Sequence, residues 1–340
     1  MPKKGKSTNS LMRHIRDNHH IEIYGANDKK NLLRMGYFHG YKAYKFNKDV
    51  QHEFVLNDFQ EIKHIYQFDN ELKSVFYGPM MQLETTLKNY TIAIIVAESD
   101  TDFESVYKTQ LTQYKDIQEL NRKNSPNGNV SNNANSKVQK SIKQRFDLKK
   151  SFDEAIARKY QNNIVQHYLK YGQPLPLWAI FELISFGEFG MFLNCLNTES
   201  RLKLEEALGI KDIAIDTSGV MIARHVFILK DLRNAIAHNH IVFDCRFKET
   251  GVKRVVAQQL ENKLTIDNIK FDTVVDYLIL IVYYQVSLGI SKTDTNALVR
   301  RFNEVVRQFK SQVGQSIFDS TIGTDVFNKI EGMSRFISNQ

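Results

Sequence analysis

The sequence predicts an all-α protein. Two observations carry this. Apolar residues recur at three- and four-residue steps in window after window, and helix breakers are scarce, with five prolines and sixteen glycines in 340 residues. In chain order, helices are expected at 28–36, 57–97, 102–120, 137–170, 175–194, 199–207, 217–240, 271–289, 294–313 and 323–336. The longest is anchored by Phe59, Ile62, Ile65, Tyr66, Phe68, Leu72, Val75 and Phe76. The most apolar run, Tyr277–Tyr284, is bounded by Asp276 and Gln285. It is too short to cross a bilayer and is expected as a buried core helix. Between 241 and 266 the pattern changes. Val242-Phe243 and Val255-Val256 flank Thr250-Gly251, which predicts one short β-hairpin. Asn121–Ser136 is nearly free of apolar groups and is expected to be a mobile loop.

Composition is that of an ordinary soluble chain, 42% hydrophobic and 25% charged, long enough for two domains or for one helical body with an appendage. The opening Met-Pro-Lys-Lys-Gly-Lys has no apolar stretch behind it, unlike a secretory signal, so a cytoplasmic protein is expected. Cys195 and Cys245 make no disulfide framework and are expected as buried thiols. Net charge is +8, which favours a polyanionic partner. Residues 1–50 hold eleven Lys/Arg against four Asp/Glu. There Lys42, Lys45 and Lys48 are interleaved with Tyr37, Phe38, Tyr41, Tyr44 and Phe46. Cations would bind phosphates and rings would stack on unpaired bases, unless the rings are core and the lysines a solvated rim. A second run holds Lys137, Lys140, Lys143, Arg145, Lys149 and Lys150 against Asp147 alone. Its first three lysines share a helix face, either a solvated surface or, next to the motif described below, one suited to an RNA backbone.

The most informative segment is Leu232-Arg233-Asn234-Ala235-Ile236-Ala237-His238-Asn239. At ~100° per residue, Arg233, Asn234, Ala237 and His238 fall on one side of a helix, with Ala235 and Ile236 free to pack on the other. The residue types suit RNA cleavage without a metal or any other cofactor. RNA carries its own nucleophile, the 2′-hydroxyl. A histidine can take that proton or protonate the leaving 5′-oxygen. A guanidinium can bind the scissile phosphate and stabilise charge in the transition state. An asparagine one turn earlier can orient the histidine or hold a phosphate oxygen.

Arg–His pairs at this spacing are common by chance, and the chain has a second one. Arg34-Met35-Gly36-Tyr37-Phe38-His39 lacks the asparagine and carries a glycine in its spacer. Arg34 and His39 are therefore read as scaffold or RNA-contact residues. Glu182, an acid in an apolar helix, calls for a partner and is a candidate support for the Arg233 motif. Trp178, one turn before it, is expected in the core. His240 is a candidate helper or a helix-end surface residue. His14, His19 and His20 lack the spacing of a metal site.

Five blocks in order carry a family resemblance over most of residues 10–290. They are Leu32–Tyr41, with its Gly-Tyr-Phe and Gly-Tyr pairs; Phe59–Ile62 followed by Ile65–Lys73, which contains Tyr66-Gln67-Phe68-Asp69; Met81–Lys88; Pro176–Gly187; and the Arg233 motif. Together they resemble the Abi-like (abortive infection) family of bacterial phage-defence proteins, a branch of the HEPN superfamily, with AbiF/AbiD-type proteins nearest. The resemblance implies an all-helical HEPN bundle with helical extensions at both ends. It divides the chain into an N-terminal helical part at 1–120, a loop at 121–136, a HEPN core at 137–290 and an extension at 291–340. It implies a ribonuclease toxin that works with a structured noncoding RNA. The site would be completed across a homodimer, and no membrane is involved. The runner-up is a non-catalytic RNA-binding scaffold. The run Asn239-His240-Ile241-Val242-Phe243-Asp244 departs from the family's usual continuation, and the nearest later arginine is Arg246.

Overall fold

A computed structural model describes residues 5–97, 101–124, 131–249 and 251–340. The described residues form sixteen α-helices, one π-helical turn and no sheet. In order these are α1 (Thr8–His19), α2 (Gly25–Met35), the π-turn (Tyr37–Lys42), α3 (Phe59–Val96), α4 (Phe103–Thr109), α5 (Gln113–Asn124), α6 (Asn132–Arg158), α7 (Asn163–Lys170) and α8 (Leu177–Leu183). Then come α9 (Phe186–Cys195), α10 (Thr198–Ala207), α11 (Met221–Ala237), α12 (Arg254–Leu264), α13 (Val274–Ser287), α14 (Lys292–Gln312), α15 (Gln315–Ile322) and α16 (Val326–Ser338). No helix among the described residues is long and apolar enough to cross a membrane. The chain divides into two compact units, residues 1–80 with 231–340, and residues 81–230. The divisions fall inside α3, next to Pro79, and inside α11, rather than at 121–136.

In the first unit, α3 buries Phe59, Ile62, Ile65, Phe68, Leu72, Val75 and Phe76, the stripe its periodicity predicts except for Tyr66, which is half-buried. Phe68 stacks on Phe309 of α14, with ring centroids 4.0 Å apart. α13 is buried along its whole length from Val274 to Tyr284, which its uniform apolarity requires. Its one acid, Asp276, has an ion-pair partner in Lys329 of α16 at 2.8 Å. Asp276 also accepts the backbone N–H groups of Lys270 and Phe271, and Lys329 donates to the carbonyl of Asn268. Burial still pushes the Asp276 carboxyl above its ordinary range.

In the second unit, α6 packs against α5, α8 and α9. Phe103, Phe152, Phe192, Phe181 and Phe189 form a continuous ring cluster in its core. The start of α11 is held by two carboxylates. Asp216 accepts the N–H of Met221 at 2.7 Å, and Glu205 accepts that of Ile222 at 3.1 Å. Such acceptors satisfy first-turn amides that have no helical partner. Arg201, 1% exposed, supplies positive charge there. Gly219, at φ 64°, lies so close to Arg201 that a Cβ would clash with it.

Several expected elements differ. The hairpin at 241–266 is absent among the described residues, although Thr250 of its expected turn lies outside them. Val255 and Val256 open α12 instead. Val256, Ala257, Leu260 and Leu264 are buried at helical spacing, and Arg254 pairs with Glu261. Apolar burial there outweighed β-branching. The expected loop shrinks from both sides. α5 reaches Asn124 and α6 starts at Asn132 on a Ser131 N-cap, leaving only 125–130 outside the described residues. The expected helix 102–120 is broken because Gln110 bonds to Asn197 and Ser200. The one at 137–170 breaks where Asn162 caps α7. The one at 175–194 breaks at Ser185, where Ser185 and Glu188 form a capping box. α1, α15 and the π-turn were not expected. Both cysteines are buried free thiols, and burial pushes Cys195 up to about 12.

Two outcomes follow. Lys329→Met should destabilise the fold by about 3–5 kcal/mol, because it strands a buried carboxylate; thermal and urea unfolding measure this. Burial, then the nearby charge of Asp216, raises Glu205 from its ordinary 4.5 to about 7. Between those values the folded chain holds a proton that the unfolded chain has released, so stability falls as pH rises from about 4.5 through about 7. Glu205→Gln should flatten that slope and raise the melting temperature at pH 8. A wild-type melting temperature that rises across this window, with no change in the variant, contradicts the assignment.

Candidate active site and adjoining cavity

The Arg233 segment closes α11. Leu232, Ala235 and Ile236 are buried, Arg233 and Asn234 are half-buried, and His238 is exposed. The helix ends one residue earlier than the motif. His238 is the C-cap, its N–H still bonded to the carbonyl of Asn234 at 3.0 Å. Asn239 follows in the left-handed conformation at φ 54°. The N–H of Asn239 returns to Ile236 and that of His240 to Ala235, at 3.2 and 2.7 Å. This is a Schellman ending with asparagine in the position that otherwise favours glycine. The Asn234 side-chain oxygen lies 3.4 Å from Nη1 of Arg233, so the motif's two polar residues touch. The rings of His238 and His240 are 5.9 Å apart. The arrangement places an exposed imidazole at a helix end, one turn beyond a fixed guanidinium–amide pair.

What holds this end in place is Asp69 of α3, fully buried. One carboxylate oxygen accepts the N–H groups of Val242 and Phe243 at 2.7 and 2.8 Å. The other accepts the Tyr44 hydroxyl at 2.6 Å and pairs with Lys73 at 2.8 Å. Lys73 in turn donates to Oδ1 of Asn239 at 2.9 Å. The Tyr44 phenol is pushed well above its ordinary range by burial and by the Asp69 charge. Arg246 is fixed beside it. It forms an ion pair with Asp244 and donates to the carbonyls of Ala43 and Phe46, so its charge is spent internally.

The other wall comes from the π-turn. Gly36, at φ 78° and ψ 149°, takes a conformation open only to glycine, and its carbonyl accepts the N–H groups of both Gly40 and Tyr41. At Gly40 a Cβ would stand 2.3 Å from that of Met35. The two Gly-Tyr pairs in the sequence are thus the geometry of this turn. Single π-turns of this kind concentrate at functional positions. Between the π-turn and the segment after α11 lies a cavity of about 530 Å³, lined among others by Arg34, His39, Tyr66, Asn239, His240 and Arg246. Arg34 and His39, read from the sequence as scaffold or RNA-contact residues, thus share a cavity with Asn239 and His240, which directly follow the motif. Sequence spacing could not show this, since the two walls are about two hundred residues apart in the chain.

The remaining expected residues are placed as follows. Lys42 is exposed and its ammonium lies over the rings of Tyr37 and Phe38. Lys48 is exposed, and its backbone N–H donates to Asp244. Lys45 is buried and paired with Glu53 at 2.6 Å. The interleaved aromatics divide: Tyr41 and Tyr44 are core, while Phe38 is 72% exposed. On α6, Lys137, Lys140 and Lys143 are exposed, the last paired with Asp147. Arg145 is turned inward, donating to the carbonyl of Tyr107 and stacking on its ring. Glu182 belongs to the 81–230 unit and is exposed, not the buried acid expected. Trp178 is 44% exposed, a correction to its expected core place. α8 is short and turns Leu177, Ala179, Ile180 and Phe181 inward, leaving Trp178 beside Tyr168. His14 and His19 are in ring contact. No three His, Cys, Asp or Glu side chains among the described residues are grouped to hold a metal.

Compared with known proteins, residues 30–244 match the model of the Abi-like protein family. That span begins just before the π-turn wall and ends at Asp244. No curated protein and no solved structure matches the chain.

Asp69→Ala should cost about 3–5 kcal/mol, because three buried donors, the N–H groups of Val242 and Phe243 and the Tyr44 hydroxyl, lose their acceptor at once and Lys73 loses its counter-charge. Denaturant unfolding measures it. A loss below about 1 kcal/mol, the size typical of a surface pair, contradicts the role given to this carboxylate.

Proposed function

The chain belongs to the Abi-like protein family, and we propose that it is an abortive-infection ribonuclease of HEPN type. In this reading it binds a structured RNA and cuts RNA by transesterification, leaving a 2′,3′-cyclic phosphate and a 5′-hydroxyl. The observation that carries the proposal is the exposed His238 at the end of α11, one turn past the Arg233–Asn234 contact. His238 moves the proton between the 2′-hydroxyl and the leaving oxygen. Arg233 stabilises the phosphorane charge, and Asn234 keeps the guanidinium in position. His240, whose ring adjoins that of His238, is a helper. The substrate supplies the nucleophile, so the reaction calls for no cofactor. One motif per chain makes a homodimer the active species, with the two motifs completing one site. Lys137, Lys140 and Lys143 on the exposed face of α6, and Lys42 and Lys48 in the N-terminal part, supply phosphate contacts.

His238→Ala should abolish RNA cleavage, a loss of about 10²–10⁴ in rate, while the melting temperature and RNA binding stay near wild type. Arg233→Ala should do the same to cleavage. His167→Ala, an exposed histidine of α7, serves as the control that keeps it. EDTA should leave wild-type cleavage unchanged. If His238→Ala still cuts RNA, the enzyme reading fails and a non-catalytic RNA-binding scaffold replaces it.

Binding is tested separately. Each phosphate contact contributes about 0.7–0.9 to the log–log salt slope, so reversing Lys137, Lys140 and Lys143 to glutamate should weaken RNA binding and flatten the slope. An unchanged slope removes the α6 face from the interface. Light scattering of the RNA-bound form tests the dimer; a monomer that cleaves RNA refutes the composite site.

A further inference from the structure

The cavity beside the motif has a chemistry that the cleavage reading draws on only at His240. Its polar side chains are donors. Arg34, His39 and His240 make no side-chain hydrogen bond or ion pair among the described residues, and neither does the Tyr66 hydroxyl. Oδ1 of Asn239 is taken by Lys73, which leaves its amide N–H groups as donors. Arg246 is neutralised by Asp244, so Arg34 is the cavity's uncompensated charge. No carboxylate is among the lining residues. A cavity with several unspent donors, one uncompensated cation and no carboxylate suits an oxyanion.

Its size and remaining walls add a second requirement. About 530 Å³ lies within the range of ~300–1,000 Å³ typical of sites for organic ligands and is far more than a bare phosphate fills. Tyr44, Tyr66 and Phe247 line the rest. Tyr44 and Tyr66 meet edge to face at 5.2 Å, and the first is locked by Asp69. Tyr44 is itself 2% exposed and stacked on Phe243, so the ring surface open to a planar base is that of Tyr66 and Phe247. The walls are also pre-formed, one by the π-turn that Gly36 and Gly40 impose and the other by the backbone bonds from Val242 and Phe243 to Asp69.

We propose that this cavity binds one nucleoside phosphate unit, with Arg34, His39 and His240 on the phosphate and the tyrosine–phenylalanine wall beside the base. The unit is either a free nucleotide or an unpaired nucleotide of an RNA strand. The inference concerns binding and holds for a chain that cleaves RNA as for one that only carries it.

The test is calorimetric titration of the full chain with four probes: inorganic phosphate, adenosine, adenosine 5′-monophosphate and a short single-stranded RNA. It is repeated on the double variant Arg34→Gln, His39→Gln and on Tyr66→Phe. Both residues of the double variant are exposed, and the tyrosine change removes a single hydroxyl without a partner, so each chain should fold, which circular dichroism checks. Loss of charge-assisted hydrogen bonds should weaken binding about tenfold or more in the double variant. Binding of adenosine 5′-monophosphate well above phosphate and adenosine, with that loss, supports the site and makes a free nucleotide the ligand. Binding of the RNA alone, with the same loss, supports it and makes the ligand strand-borne. Inorganic phosphate binding as tightly as the nucleotide overturns the base wall. Equal affinity of wild type and double variant, or no binding of any probe, overturns the site. Because His238→Ala leaves all of these readouts intact, failure of the cleavage proposal and failure of this one are seen separately.

Discussion

One buried carboxylate organises the described part of the site. Asp69 comes from α3, which is fixed by the Phe59–Phe76 stripe, and it bonds to two backbone amides that follow α11, to the phenol of Tyr44 and to Lys73. Each of these groups would be costly to bury alone. Together they leave the chain after His238 a single path. Through Lys73 the same charge reaches Asn239, the left-handed residue that ends α11. The exposed imidazole of His238 thus stands on a rigid base, as the proposed proton transfer would require.

This arrangement explains why unlike parts of the sequence act together. The Gly-Tyr pairs build the π-turn, the Tyr66-Gln67-Phe68-Asp69 stretch supplies the acceptor, and the Arg233 segment supplies the helix end. All three enclose or border one cavity. The family match runs from one wall to the other and stops at Asp244, the residue that neutralises Arg246. Of the two arginines that line the cavity, only Arg34 is therefore left for a ligand. Arg34 is uncompensated, while Lys45 and Arg145, equally basic in the sequence, are committed to Glu53 and Tyr107.

The all-helical class, the stripe on α3, the apolar α13 and the packing face of α11 were legible because each follows from a local periodicity. The capping box Ser185–Glu188 was also written locally, yet the apolar run around it masked the break. The failures share a cause. Val255 and Val256 suggested a strand, but burial at helical spacing decided α12. Trp178 suggested core, but its place on α8 turns it outward. The π-turn depends on a glycine conformation and a close approach that no periodicity reports. Arg34 and His39 looked like a chance copy of the Arg233 spacing. Their meeting with His240 is a long-range fact, set by Asp69, and only the folded chain shows it.

The measurement that tests this account most directly is amide hydrogen exchange, residue by residue, on wild type and Asp69→Ala. The N–H groups of Val242 and Phe243 lie outside any helix and owe their protection to the carboxylate. The account predicts that they exchange slowly in the wild type and that the variant loses protection selectively at 240–244, by a larger factor than at Leu278–Ile281 in the centre of α13. Fast exchange of both amides in the wild type, or a uniform loss across the two segments, would contradict it.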